Sequence, residues 1–240
     1  MLEFSLKDKS GATKLEFAPV RIYNLGSATR EKKSADAHQE EVADIGVKIA
    51  FDRPAPRIYP MDTPIVTTAD RIGVLNDQTS GEVEIVLVVA DDLYIGVGSD
   101  HTDRILEKTS ILWSKQACAN VTAPELWRFS EIEAHWDSCR LTMEYDGKPY
   151  QDVAAGVFLP PRRILEILKE RLLKMPDRDF LVFCGTYATV DKKIHFGARW
   201  SFALRDPVLN RTIEHAYTTT NLLEEVRSEH RVPLMAEPRR

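Results

Sequence analysis

Glu82 and Glu84 stand at the head of an aliphatic run. Residues 80–89 read SGEVEIVLVV, and the five from Ile85 to Val89 are unbroken aliphatics. In a strand, alternate residues share a face, so the two carboxylates point the same way. Like charges this close repel, and taking them out of water costs free energy. A hard divalent cation removes both problems, because Mg²⁺ takes carboxylate oxygens and keeps several waters. A third carboxylate would complete a facial set. Asp100, in the segment GVGSDHTDR at 96–104, is the nearest candidate. On the E-x-E alone, a solvated strand face is the plainer reading. Arg104 lies one helical turn beyond Asp100, where it can orient that carboxylate or hold a substrate acid by a forked bond.

The pair GEVEIVLVV and GSDHTDR resembles the fumarylacetoacetate hydrolase superfamily. There, a strand bearing E-x-E is followed by a segment of the type Asn-Asp-x-Ser-Ala-Arg. Ser99 stands here for the usual Asn and Thr102 for the usual Ser. The resemblance implies that Glu82, Glu84 and Asp100 bind Mg²⁺ or Mn²⁺, and that Lys115 is the family's active-site lysine. It continues in order through Pro124, the Asp146-Gly147 turn with Gln151 after it, a helix, and a strand ending at Gly185-Thr186. Upstream, many members carry His-x-x-Glu on a short lid helix, and AHQEEV supplies His38 and Glu41. Residues three apart share a helix face. A Glu there raises the basicity of the His and fixes its tautomer, as a general base requires. The likeness spans roughly residues 20–210. SGEVE, SDHTDR and SKQAC together look like a divergent bacterial branch carried as a domain of unknown function. The interval from the E-x-E to Asp100 is short where the family inserts a helix and a longer hairpin.

The elements that must position these groups are mostly strands. Weak alternation to about Asn24 suggests two strands, and ADAHQEEVA at 35–43 a short helix ending near Gly46. Pro54, Pro56, Pro60 and Pro64 make the next stretch a rigid, extended connection. Further strands are expected at 72–74, 83–90, 93–97, 140–145, 180–184, 194–196 and 200–204. Asp146-Gly147 is a turn, since Asp-Gly supplies positive φ at low cost. A helix is expected over 161–175, with Ile164, Leu165, Ile167, Leu168, Leu172 and Leu173 on one broad face. The fold class is therefore mostly β with peripheral helices (α+β), and the resemblance implies a mixed β-sandwich or β-roll. Residues 1–70 read as a small N-terminal region with the lid helix, and 71–240 as the catalytic domain.

Length and composition are consistent with this. With 240 residues and 43% hydrophobic content, the chain can bury a substantial core. A net charge of -5 and the lack of a basic stripe argue against nucleic acid. No leader or membrane span is read, and Cys118, Cys139 and Cys184 lack C-x-x-C spacing; a cytoplasmic protein with reduced thiols is expected. His101 stands where G-x-G-x-x-G needs its third glycine, so GVGSDH is not a dinucleotide loop, and there is no G-x-S-x-G. His101 is expected to play a structural or supporting role. His135 and Asp137 are expected to make a strand-surface hydrogen bond. His195 and His215 stay unassigned. The expected activity is hydrolysis of a carbon–carbon bond in an acylpyruvate-like 2-oxo or β-dicarbonyl acid. His38, Glu41 and Lys115 would be catalytic, and Arg104, Gln151, Gly185 and Thr186 would bind the substrate acid. The rivals are decarboxylation or hydration/isomerisation on the same metal site, and a non-catalytic metabolite-binding module. Specificity is placed in the lid and in the stretch 51–61, and the resemblance implies a homodimer.

Overall fold

The computed structural model describes residues 1–8, 11–47 and 53–234. The chain opens with β1 (Leu2–Asp8), β2 (Gly11–Phe17), β3 (Arg21–Gly26), helix α1 (Lys32–Asp44) and β4 (Arg57–Met61). Short strands β5 (Val66–Thr67), β6 (Arg71–Val74) and β7 (Thr79–Ser80) lead into the long hairpin β8 (Val83–Val89) and β9 (Leu93–Asp100). Then come β10 (Thr102–Asp103), helices α2 (Arg104–Glu107) and α3 (Ile111–Ala117), β11 (Asn120–Thr122), β12 (Glu125–Arg128) and α4 (Phe129–Ile132). The last third holds β13 (Arg140–Tyr145), β14 (Lys148–Ala154), α5 (Pro161–Arg171), β15 (Phe180–Phe183), β16 (Arg199–Asp206) and β17 (Arg211–Asn221).

These strands form two main sheets. The larger runs β2-β1-β12-β9-β8-β15-β3-β4, with β11 beside β9 and β5 beside β11. The smaller runs β14-β13-β16-β17-β6. Strands from residues 1–70 share the large sheet with later ones, since β3 pairs with β15 and β1 with β12. The architecture is α+β, as expected. Among the described residues, no helix is long and apolar enough to cross a membrane.

β8 lies inside the large sheet, antiparallel to both β9 and β15. Val83, Ile85 and Leu87 join a core that also takes Leu141, Trp200 and Phe202 from the smaller sheet. Val86 and Val88 face the other way, into a second core with Phe4, Ile22 and Leu181. A strand buried on both faces has no polar positions to alternate with, which is why 85–89 is an unbroken run. Glu82 and Glu84 share the parity of Val86 and Val88, so they lie on that second face.

Several expected boundaries move. The N-terminal segment makes three strands, not two. Residues 194–196 are irregular: they cross between the two sheets, and His195 stacks on Tyr145 with ring centroids 4.9 Å apart. His135 sits in a short 3₁₀ stretch rather than on a strand, and it lies 3.0 Å from Asp206, while Asp137 pairs with Arg30. Helix α5 ends at Arg171, short of Met175. The backbone of Leu172 turns extended, and Leu173, expected on the buried face, is fully exposed. The guanidinium of Arg171 donates instead to the carbonyls of Pro54, Ala55 and Pro56, fixing the proline-rich connection against the helix. The Asp146-Gly147 turn is as expected, with positive φ at both residues closing the β13–β14 hairpin.

Candidate active site

The three carboxylates converge because the β8–β9 ladder brings them together. Glu84 is paired with Gly98, and the Asp100 amide donates to the Glu82 carbonyl at 3.1 Å, which puts Asp100 across from Glu82. A Cβ at Gly98 would come within 2.5 Å of the Val121 carbonyl oxygen, so only glycine lets β11 close over this point. One oxygen from each of Glu82, Glu84 and Asp100 lies within 4.8 Å of the others, and all three side chains are buried.

Each remaining group arrives on its own element. Asp103 caps α2, accepting from the Ile105 and Leu106 amides, and so starts the turn that carries Arg104. Arg104 is buried and donates to Ser80, to Glu107 at 2.8 Å and to Glu82 at 2.8 Å. In this arrangement it holds Glu82. Ser110 caps α3, whose Lys115 ammonium reaches Glu82 at 3.2 Å and pairs closely with Asp100. On α1, His38 Nδ1 lies 3.0 Å from Glu41 and Nε2 3.2 Å from Glu82. Glu41 is anchored by the amide and hydroxyl of Thr189, which docks the helix over the carboxylates. Gly185, with φ +81, turns its amide onto Glu84 at 2.8 Å. Gln151 accepts from the Val83 amide and donates to Thr186 and the Tyr187 carbonyl, so its polar atoms brace β8.

His101 faces away from the carboxylates. Its ring nitrogens meet Tyr217 and Thr79, each at 2.8 Å, and Tyr217 continues to Ser99, which accepts from the Glu82 amide. Burial and the nearby Arg104 charge push His101 down to about 3, so it stays neutral. Its place is structural.

The electrostatics show what the cluster lacks. Burial raises all three carboxyls. For Glu82 the charges of Lys115 and Arg104 overcome this and hold it well below its ordinary range. Burial raises Asp100 to about 6, with Lys115 pulling against it. Glu84 is driven well above the usual range by burial and by Asp100. Burial disfavours the Lys115 charge, but Asp100 and Glu82 outweigh it and raise the ammonium well above its ordinary value. Burial would lower His38, but hydrogen bonds to Glu41 and Glu82 raise it to about 9. The protein's own cations thus balance two of the three carboxylates. Asp100 Oδ1 has no donor in good hydrogen-bond geometry among the described residues, with only Asn24 close beside it. A buried carboxyl that the protein's own charges leave neutral, beside two that they hold ionised, fits a divalent cation, which would favour ionisation of the whole set.

The carboxylates open onto a cavity of about 540 Å³ including its mouth. Of the residues singled out from sequence, His38, Glu82, Glu84, Lys115 and Thr186 line it. Asp100, Arg104, Glu41, Gln151 and Gly185 stand behind them. Ser27, Gln39, Arg57 and Tyr59 add polar groups to the wall, the last two from the stretch 51–61 in which specificity was expected. The alternation of Arg57 and Tyr59 puts both on one face of that extended segment. Phe51 and Asp52, in the stretch assigned to specificity, lie outside the described residues.

Comparison with known proteins bears on the family and the fold. The sequence profile of a family described as "Protein of unknown function (DUF2848)" matches residues 26–217. No curated protein matches the sequence. Among solved structures, a fumarylacetoacetate hydrolase family protein from Yersinia pestis CO92 superposes with a TM-score of 0.61 at 15% identity, covering 89% of this chain and 100% of that one. The yeast protein ynq8, of the same family, gives 0.61 at 14% identity over 85% of this chain and 93% of that one. A 2-hydroxyhepta-2,4-diene-1,7-dioate isomerase from Mycobacterium marinum gives 0.57 at 13% identity over 88% and 79%. The chain therefore belongs to the DUF2848 family, and its fold is that of the fumarylacetoacetate hydrolase proteins.

Proposed function

We propose that this protein is a Mg²⁺- or Mn²⁺-dependent enzyme that cleaves a carbon–carbon bond in a small acylpyruvate-like 2-oxo acid. One observation carries the reading: the His38–Glu41 pair docks directly onto Glu82 at the end of a cavity that also holds Glu84 and Lys115. Glu82, Glu84 and Asp100 would hold the cation, which supplies Lewis acidity where negative charge develops on a carbonyl oxygen. Lys115 offers its ammonium to the same charge. Thr186, on the cavity wall, would position the substrate acid. Nδ1 of His38 is held by Glu41, and Nε2, which faces Glu82 at 3.2 Å, is the nitrogen that would take a proton from water when the ring is neutral. The water oxygen then bonds to the acyl carbon, the carbon–carbon bond breaks, and the departing carbon takes up a proton.

The raised imidazole supports a second reading. At about 9 it holds its proton at neutral pH, and a protonated His38 gives rather than takes. That suits proton return to carbon after decarboxylation, or in isomerisation. Products separate the two, since hydrolysis yields two acids and decarboxylation releases CO₂. The test is a screen of Mn²⁺-loaded protein against acylpyruvates and other 2-oxo acids, with His38→Ala alongside. The variant should lose about 10²- to 10⁴-fold in kcat while its Mn²⁺ affinity barely changes. Equal losses in both would remove His38 from the chemistry.

A further inference from the structure

The head of β8 is held from the smaller sheet. Glu82 lies opposite Asp100, one step beyond the Val83–Ser99 pair of the β8–β9 ladder. An antiparallel pair joined by backbone bonds normally exchanges two of them. Here one forms, from the Asp100 amide to the Glu82 carbonyl. The Asp100 carbonyl accepts instead from the Thr102 hydroxyl, and the Glu82 amide donates to the Ser99 hydroxyl at 3.2 Å. The next amide, of Val83, donates to the Gln151 side chain at 2.8 Å. Two successive amides at the start of the E-x-E are therefore fixed by side chains. Both lines lead to the smaller sheet: Gln151 stands on β14, and Ser99 meets the Tyr217 hydroxyl of β17 at 2.8 Å.

The line through Tyr217 has a direction. Ser99 is buried, so its own proton needs a protein acceptor, and the Tyr217 oxygen stands beside it. Tyr217 then donates to His101 Nδ1, and His101 Nε2 to the Thr79 hydroxyl, each at 2.8 Å. A neutral imidazole has one donor and one acceptor, and this order uses each once. Thr79 lines a surface cleft, where its own proton can go to water. Gly81 makes room for the line, since a Cβ there would come within 2.9 Å of both the Ser99 and Tyr217 hydroxyl oxygens. The surroundings are apolar: Tyr217 shares a core with Met143, Trp200 and Phe202. Apolar groups of the same shape could fill that core at little cost. What they could not supply is an acceptor for the Glu82 amide.

We infer that Tyr217 is a positioning residue for the metal site: through Ser99 it fixes the Glu82 backbone, and with it the aim of the Glu82 carboxylate. The inference rests on the cation binding proposed above. Calorimetry with Mn²⁺ and the electron paramagnetic resonance spectrum of the bound ion test it. Ser99→Ala removes the acceptor itself and should weaken Mn²⁺ binding by about tenfold. Tyr217→Phe, one bond further out, should weaken it by a smaller factor, and both should alter the spectrum. The double variant should match Ser99→Ala, because both changes break one connection. Phe202 packs on the Tyr217 ring, with centroids 6.2 Å apart, and carries no hydroxyl. Phe202→Leu should therefore lower the urea midpoint and leave affinity and spectrum where they were. The positioning role is overturned if Tyr217→Phe lowers the midpoint alone, or if the two losses multiply in the double variant. It is also overturned if Phe202→Leu weakens binding as much as Tyr217→Phe, since any loosening of the core would then suffice. A wild type that binds no Mn²⁺ would sink the metal reading itself, and this inference with it.

Discussion

Two places among the described residues bring three potential metal ligands within 4.8 Å of one another: Glu82, Glu84 and Asp100, and His135, Cys139 and Asp206. By ligand type the His135 cluster is the better transition-metal site, with a nitrogen, a sulfur and an oxygen. Its partners say otherwise. Asp206 Oδ1 accepts from the Val208 and Leu209 amides, and Oδ2 from Arg211 Nε. Arg211 is itself fixed by Glu131 and lies over the Trp127 ring. Burial and Asp206 push the Cys139 thiol up to about 12, so it keeps its proton. At the carboxylate cluster Arg104 and the Gly185 amide each hold one oxygen, but the cation against Asp100 is a lysine on a flexible stem, Asp100 Oδ1 has no donor in good geometry among the described residues, and a cavity adjoins. Backbone amides cannot step aside for a metal, but a lysine side chain can. An inventory of ligand types does not separate a site from a brace; the state of the lone pairs does.

The largest expected effect tests that contrast directly. Glu84→Gln keeps the shape and removes the charge, and it should weaken Mn²⁺ binding by about 100-fold or more in a calorimetric titration. A loss below tenfold would return the two glutamates to an ordinary strand surface. Next comes Lys115→Met. Removing one partner of a buried ion pair costs about 3–5 kcal/mol, so the metal-stripped variant should unfold at much lower urea. Mn²⁺ should then stabilise the variant more than the wild type, because ligands that bind only the folded state raise its stability and no ammonium competes. Stabilisation by Mn²⁺ that is smaller in the variant would show that lysine and metal do not share the same oxygens.

What could be read in the sequence follows the same division. The β8 core, the α1 pair and the order of the motifs rest on local spacing, and spacing fixes which face a residue takes. Glu82 and Glu84 were legible as a pair for that reason. The cavity wall was legible only as the stretch 51–61, with no side chain of it aimed. Arg57 reaches the site because β4 closes the edge of the large sheet beside β3, a pairing between distant segments. β17 was also missed: along RTIEHAYTTTN only Ile213 and Tyr217 are buried, too sparse an alternation to stand out. Gln151 and Arg104 were expected to bind the substrate acid, and sequence could not show that their bonds go to Val83, Thr186 and Glu82. The His135 cluster was invisible as a unit, because Asp206 comes from the distant end of β16, where it accepts from the turn into β17.

The smallest effect lies in that turn. Burial disfavours the charge on Asp206, but the Leu209 amide, His135 and the Val208 amide outweigh it and depress the folded-state value. A depressed carboxylate contributes stability that is present above its unfolded value, about 3.9, and is lost as pH falls through the folded one. Asp206→Asn keeps one acceptor oxygen and removes the titration. It should cost about 1–3 kcal/mol at pH 7, and the gap to wild type should narrow below about pH 4 in urea melts taken across pH. Mn²⁺ affinity, measured on the same samples, should stay where it was. If affinity fell with Asp206 and not with Glu84, the comparison would invert, and the softer ligand set would be the metal centre.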